Sequence, residues 1–147
     1  MEETKMVTGS ATSRLSNQPG RAIVSARGNH VVVDSPAPLG GPNEELNPID
    51  LLLGAFATCG TFVCETAAQE LGIPLDTVSV TVAGDFDPAG LCGSGGDPRL
   101  QVFRVRVALT GPSESEAQTL IDAFRHRCPV YTTMVRAAPI EMEVALS

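Results

Sequence analysis

An α+β domain with antiparallel sheets is the fold class predicted by this sequence, and three observations predict it. One stretch, Asn47 to Gly72 (NPIDLLLGAFATCGTFVCETAAQELG), has the length and apolar content of a single long helix. Short β-branched or alternating segments lie on both sides of it. The order of elements is strands, long helix, two strands, helix, short helix, strand, and no βαβ repeat appears in it. A chain of 147 residues with 43% hydrophobic content is large enough for one packed core, so residues 1–147 are read as a single domain.

Along the chain, residues 1–18 are polar, with one edge strand expected around Lys5 to Thr12. Arg21–Ser25 (RAIVS) and His30–Asp34 (HVVVD) are rich in β-branched residues and read as strands joined by a turn at Ala26–Asn29. Ser35–Glu45 holds three Pro and two Gly and must be loop. Asn47 is a good N-cap for the long helix, Pro48 suits its first turn, and Gly72 with Pro74 stops it. Glu65 is the only charged residue from Leu51 to Ala68. A helix apolar on nearly every face is expected to be buried at the centre of the protein.

Thr77–Ala83 alternates Val with Thr or Ser, and Leu100–Leu109 alternates Phe103, Val105 and Val107 against Val102, Arg104 and Arg106. The Gly-rich segment between them makes an antiparallel hairpin the natural pairing. Ser113 followed by Glu116 is a capping box for a helix with an apolar stripe of Leu120, Ile121 and Phe124. Cys128-Pro129 opens a shorter helix, and Pro139–Leu146 alternates as a closing strand.

The formal charge of −7 and a pI near 4.7 argue against nucleic acid and anionic membrane surfaces as partners. The Gly- and Thr-broken helix argues against a membrane span. The N-terminus lacks a signal-peptide pattern, so a cytoplasmic setting with reduced thiols is expected. Metal is not expected: there are two His, no C-x-x-C pair, and an unsuitable Cys59/Cys64 spacing. No nucleophile elbow, P-loop or dinucleotide fingerprint is present.

Two of the four cysteines invite chemistry. Cys128 sits at a helix start behind Arg125, His126 and Arg127, where a lowered thiol pKa is expected. Cys59 lies mid-helix among Ala55, Phe56, Phe62 and Val63, where it reads either as core packing or as a nucleophile needing a cation from elsewhere. Cys64, rotated roughly 140° from Cys59, reads as packing. Cys92, in the Gly-rich loop, reads as an exposed bystander. Asp50 has a plain role as an acid in the first helical turn.

The run GNHVVVDSPAPLGG, then NPIDLLLGAFATC, the paired alternating strands, and HRCPVYTTM with its closing strand resemble the OsmC/Ohr family, closest to its OsmC-like branch. The resemblance implies an OsmC-like fold: mainly antiparallel sheets wrapped around a long central helix in an intertwined homodimer. It implies a thiol-dependent peroxidase with no metal, haem or flavin. Cys59 would attack an organic hydroperoxide, Cys128 would resolve the sulfenic acid as a disulfide, and an external dithiol would restore both thiols. Leu52, Phe56, Phe62 and Met134 are the expected apolar substrate pocket.

The hydroperoxide resistance branch has a Glu after the Pro of its N-P motif, oriented toward an Arg that activates the thiol. Here that position is Ile49, the acid is Asp50, and Gln18 stands near the expected Arg. Arg14, Arg21 and Arg27 are nearby, and Arg27 or Arg21 paired with Asp50 is the expected substitute. The alternatives are a non-enzymatic dimer that binds a small apolar molecule or senses redox state through its Cys pair, and a structural protein with four packing thiols.

Overall fold

The computed structural model describes residues 2–145. They form two compact units: one holds the residues through Leu52 together with Asp87–Pro98, the other holds Leu53–Phe86 and the residues from Arg99 onward. The long helix α1, Pro48–Leu71, runs from the first into the second.

The first unit contains a three-stranded antiparallel sheet of β1 (Thr12–Leu15), β2 (Arg21–Ala26) and β3 (Asn29–Asp34), in that order. The edge strand lies later than the expected Lys5–Thr12. Between β2 and β3 the chain reverses through Arg27 at φ 51° and Gly28 at φ 78°. Two consecutive left-handed residues match the twist of the flanking strands. The Pro/Gly loop that follows holds one 3-10 turn, Ala37–Leu39. Its end is pinned from β3: the Asp34 carboxylate accepts the backbone N–H groups of Glu44 and Glu45, each at 3.0 Å, and the Asp34 N–H donates to the Leu46 carbonyl. Asn47 then caps α1 with its side-chain oxygen on the Asp50 N–H, and Asp50 returns a bond to the Asn47 N–H. A short helix, α2 (Pro88–Leu91), completes this unit.

The second unit holds the core. β4 (Thr77–Asp85) and β5 (Val102–Thr110) pair antiparallel in the register the alternation requires, with Val80 opposite Val107 and Val82 opposite Val105. Their inward side chains Val78, Val80, Val82, Phe103, Val107 and Leu109 pack on a cluster from α1 and α3 (Glu114–Arg127). That cluster is Phe56, Cys64, Ala67, Ala68, Leu120, Phe124 and Cys128. The capping box of Ser113 and Glu116 forms at the start of α3. Gly60 has a packing reason: a Cβ there would lie 2.8 Å from two carbons of the Phe124 ring.

Two expectations are corrected. α1 is not buried all round. Only Phe56, Gly60, Cys64, Ala67 and Ala68 are buried, one stripe at helical spacing, whereas Phe62 is 60% exposed. Residues 136–145 form no strand, and Ile140, Met142 and Val144 are all exposed; Leu146 lies outside the described residues. A strand needs a neighbour to accept its backbone hydrogen bonds, and this segment finds none within its own described chain. α1 is also long and apolar enough to cross a membrane by length and composition. One of its faces, however, is part of the packed core.

Candidate functional site: a thiol pair on an aromatic core

Cys59 is carried by α1 at the edge of its buried stripe and is half-buried. Cys128 closes α3 and caps α4 (Pro129–Val135), and it is fully buried. Pro129 starts the last helix because its missing N–H falls where none is needed. The fold brings the two sulfurs to 2.8 Å. Disulfide formation needs them at ~2.05 Å, so closure requires a movement of less than ~1 Å. Both are free thiols.

Both thiols pack in the same core cluster as a group of rings. Phe56 stacks on Phe103 at 5.8 Å between centroids and meets Phe124 and Tyr131 edge-on at 6.3 and 6.1 Å. Phe124 and Tyr131 are 5.7 Å apart. These contacts fix the end of α3, because the Phe124 carbonyl accepts the Cys128 N–H at 3.1 Å. Phe103, Phe124 and Tyr131 were not assigned to the site from the sequence. The signal for Phe124 was the apolar stripe of α3 and that for Phe103 the alternation of β5; Tyr131 in α4 had none.

The electrostatics differ from expectation at Cys128. Its thiol is pushed up, first by burial and then by the hydrogen bond to Cys59. The Tyr131 N–H, 3.3 Å from its sulfur, pulls the other way and does not prevail. The three basic residues before it are engaged elsewhere. Arg127 forks onto Glu70 of α1 at 2.6 and 3.0 Å, Arg125 pairs with Asp122, and the His126 ring bonds the Asp122 carbonyl. Cys64 is fully buried and its thiol is also raised by burial, in keeping with a packing role. Cys92 is exposed.

Of the expected pocket residues, Phe56 and Met134 join the core, Phe56 as a buried member and Met134 packed against it. Phe62 does not. Six positions after Phe56 it is rotated roughly 120° around the helix and is exposed. Leu52 is 36% exposed. The expected pairing of Arg21 with Asp50 is replaced by other partners. Arg21 forks onto the buried Asp34 at 2.7 and 2.8 Å and also reaches Glu44 at 2.9 Å, while Asp50 bonds the Asn47 backbone. Arg21 and Asp34 are directly opposed across the β2–β3 hairpin, so counting back from its two-residue turn would have paired them. Arg27 is exposed at that turn, and Gln18 closes a local turn with Ser16. Among the described residues no group of three or more His, Cys, Asp or Glu could hold a metal ion.

This α+β chain presents two unlike thiols, one within α1 and one at the junction of α3 and α4. The family model for OsmC-like protein matches residues 41–143, and the chain belongs to that family. An OsmC-like protein from Mycoplasma pneumoniae shares its fold at TM-score 0.74, 18% identical over 93% of this chain and 91% of that one. An organic hydroperoxide resistance protein OsmC from Legionella pneumophila aligns at TM-score 0.61 and 22% identity, covering 91% and 93% of the two chains. One from Elizabethkingia anophelis aligns at TM-score 0.60 and 23% identity, covering 92% of each. No curated protein matches the chain by sequence.

Proposed function

We propose that this protein is a thiol-dependent peroxidase that reduces organic hydroperoxides through Cys59 and Cys128. The observation that carries the reading is the 2.8 Å separation of two sulfurs from positions 59 and 128. The order of events follows from their surroundings. Cys59 is the more accessible sulfur and attacks the hydroperoxide O–O bond, releasing the alcohol and becoming a sulfenic acid. Cys128, buried and with its thiol raised, stays protonated until the sulfenic acid forms beside it. Its sulfur then displaces the hydroxyl as water, giving the Cys59–Cys128 disulfide. An external dithiol supplies the two electrons that restore both thiols. No cofactor takes part in these steps. The names of the Legionella and Elizabethkingia relatives support the substrate class. The apolar residues packed around the pair favour alkyl or aryl hydroperoxides over hydrogen peroxide.

The working unit in this reading is a homodimer. A second copy would cover the exposed face of α1 around Phe62 and supply an edge for the alternating Ile140, Met142 and Val144 segment. A cytoplasmic setting would keep the pair reduced between turnovers.

The test is a titration of the reduced protein with cumene hydroperoxide, counting free thiols in wild type, Cys59→Ser and Cys128→Ser. Wild type should lose two thiols rapidly, Cys128→Ser one, and Cys59→Ser none on the same timescale. Unchanged thiols in wild type reject the peroxidase. If diamide nevertheless joins the pair, the redox-sensing reading takes its place.

A further inference from the structure

The core holds α3 against α1 through Leu120 and Phe124, and Cys128 lies beyond both, where α3 ends. Arg127 is the last residue of that helix. Its guanidinium donates two hydrogen bonds to the Glu70 carboxylate, at 2.6 and 3.0 Å, in the planar fork that a lysine cannot make. Glu70 lies on α1 eleven positions after Cys59, which is three turns and roughly 20° further round. Glu70 and Cys59 therefore share one side of α1, ~16 Å apart along its axis. The end of α3 meets that side at two points, Cys128 at Cys59 and Arg127 at Glu70. Two well-separated attachments stop a helix end from swinging, which one contact cannot do. The nearby pair of Arg125 and Asp122 is internal to α3 and cannot set that helix against another.

We infer that Glu70 and Arg127 are positioning residues for the thiol pair: their ion pair holds the end of α3 along α1 so that Cys128 faces Cys59. Both act through the backbone step from Arg127 to Cys128 and not by contact with a sulfur. Their effect falls on the reduced pair, because the disulfide, once formed, holds the two helices by itself. Losing the fork lowers the effective concentration of one thiol at the other, so the disulfide forms less readily and is easier to reduce. Both head groups are about half exposed, and exposed ion pairs change an equilibrium only severalfold. The expected change is therefore ~3-fold, which the two-electron relation of ~30 mV per tenfold turns into ~14 mV. The role belongs to the Cys59–Cys128 pair of the proposed function, whatever oxidant joins it.

The test measures the reduction potential of the Cys59–Cys128 disulfide in glutathione redox buffers, using full-length Cys92→Ser protein to remove the exposed thiol outside the pair. Oxidised glutathione accepts the two electrons, and the disulfide fraction is counted by alkylation and peptide mass spectrometry. Glu70→Gln and Arg127→Gln should each raise the potential by ~14 mV, although they change the charge in opposite directions, and the double variant should add little more. Exchanging the two, Glu70→Arg with Arg127→Glu, should restore the starting value to within ~5 mV. Arg125→Gln removes a cation close in sequence to Cys128 but unattached to α1, and should leave the potential unchanged. Salt at ~1 M should move the unsubstituted pair toward the Gln variants, a comparison that does not depend on any variant folding. Unchanged potentials in the Gln variants, shifts of opposite sign, additive shifts, no effect of salt or an exchange that fails to rescue each overturns the assignment, as does a pair that glutathione never joins. If the potentials behave as expected while cumene hydroperoxide leaves the thiols reduced, the peroxidase alone is rejected and the positioning role stands.

Discussion

Gly60→Ala tests whether the core sets the geometry of the thiol pair. The added methyl would meet the Phe124 ring, with two ring carbons 2.8 Å away against an ordinary contact of ~3.5–4 Å. The ring is almost fully buried, in contact with Phe56 and Tyr131, and has little room to retreat. Overpacking of this kind costs ~1–3 kcal/mol, while replacing Gly by Ala in a helix interior returns ~1 kcal/mol. The single variant should therefore be destabilised by up to ~2 kcal/mol. Phe124→Leu removes the obstructing ring carbons, and in that background the same substitution should stabilise by ~1 kcal/mol. The two substitutions should thus couple by ~1–3 kcal/mol in a double-mutant cycle.

Urea unfolding at one fixed protein concentration measures the coupling, since any self-association would make the apparent stability depend on concentration. The site offers a second readout. Cys59 adjoins Gly60, and Phe124 holds the Cys128 N–H, so moving the ring moves the two sulfurs apart. Closure of the disulfide by diamide should slow by roughly one to two orders of magnitude in Gly60→Ala. Coupling below ~0.5 kcal/mol, with unchanged closure, would refute the argument that this contact positions the pair.

Other predictions concern the scaffold. The Arg21 hydrogen bond holds the Asp34 carboxyl well below the usual carboxylate range, against the opposing effect of burial. A depressed folded-state value contributes stability that is complete above the unfolded value of 3.8 and is lost as pH falls from there toward the folded value. The urea midpoint of wild type should fall more steeply below pH 4 than that of Asp34→Asn, which keeps only the acid slopes of groups such as Glu70 and Asp85; parallel slopes would contradict it. Asn47→Ala removes the cap of α1 and should cost ~1 kcal/mol in the same assay, with circular dichroism showing a frayed first turn. Phe62→Glu places a charge on the exposed face of α1 and should convert a dimer to monomer in sedimentation velocity, while a chain that is already monomeric would be unaffected.

Local signals carried much of the fold. Period-two alternation predicted β4 and β5 and which residues of β5 share a side, because side chains alternate across any strand regardless of what covers it. The capping box at Ser113, the Pro129 helix start and the Asn47 cap are decided within a few residues, and all three form. The closing strand was wrongly expected for the same reason. Alternation at Ile140, Met142 and Val144 records a preference for pairing, and only a neighbouring edge can satisfy it. Likewise, the composition of α1 showed that it avoids water but not which face its own chain would cover.

The candidate site was legible in its chemistry and not in its geometry. A thiol beside Pro129 and a thiol in an apolar helix could be picked out as residues, because cap positions and apolar runs are local. Their 2.8 Å approach across 69 positions depends on how α1, α3 and the β4–β5 hairpin pack around Phe56 and Phe124. The charge environment was read wrongly for a related reason. Arg125, His126 and Arg127 are neighbours of Cys128 in sequence, but a charge acts through space, and each of these side chains turns to a partner elsewhere. Sequence by itself determined which elements form and which thiols are available. Tertiary packing decided which thiol is buried, which stays accessible, and that the two meet, because burial and distance are properties of the assembled core.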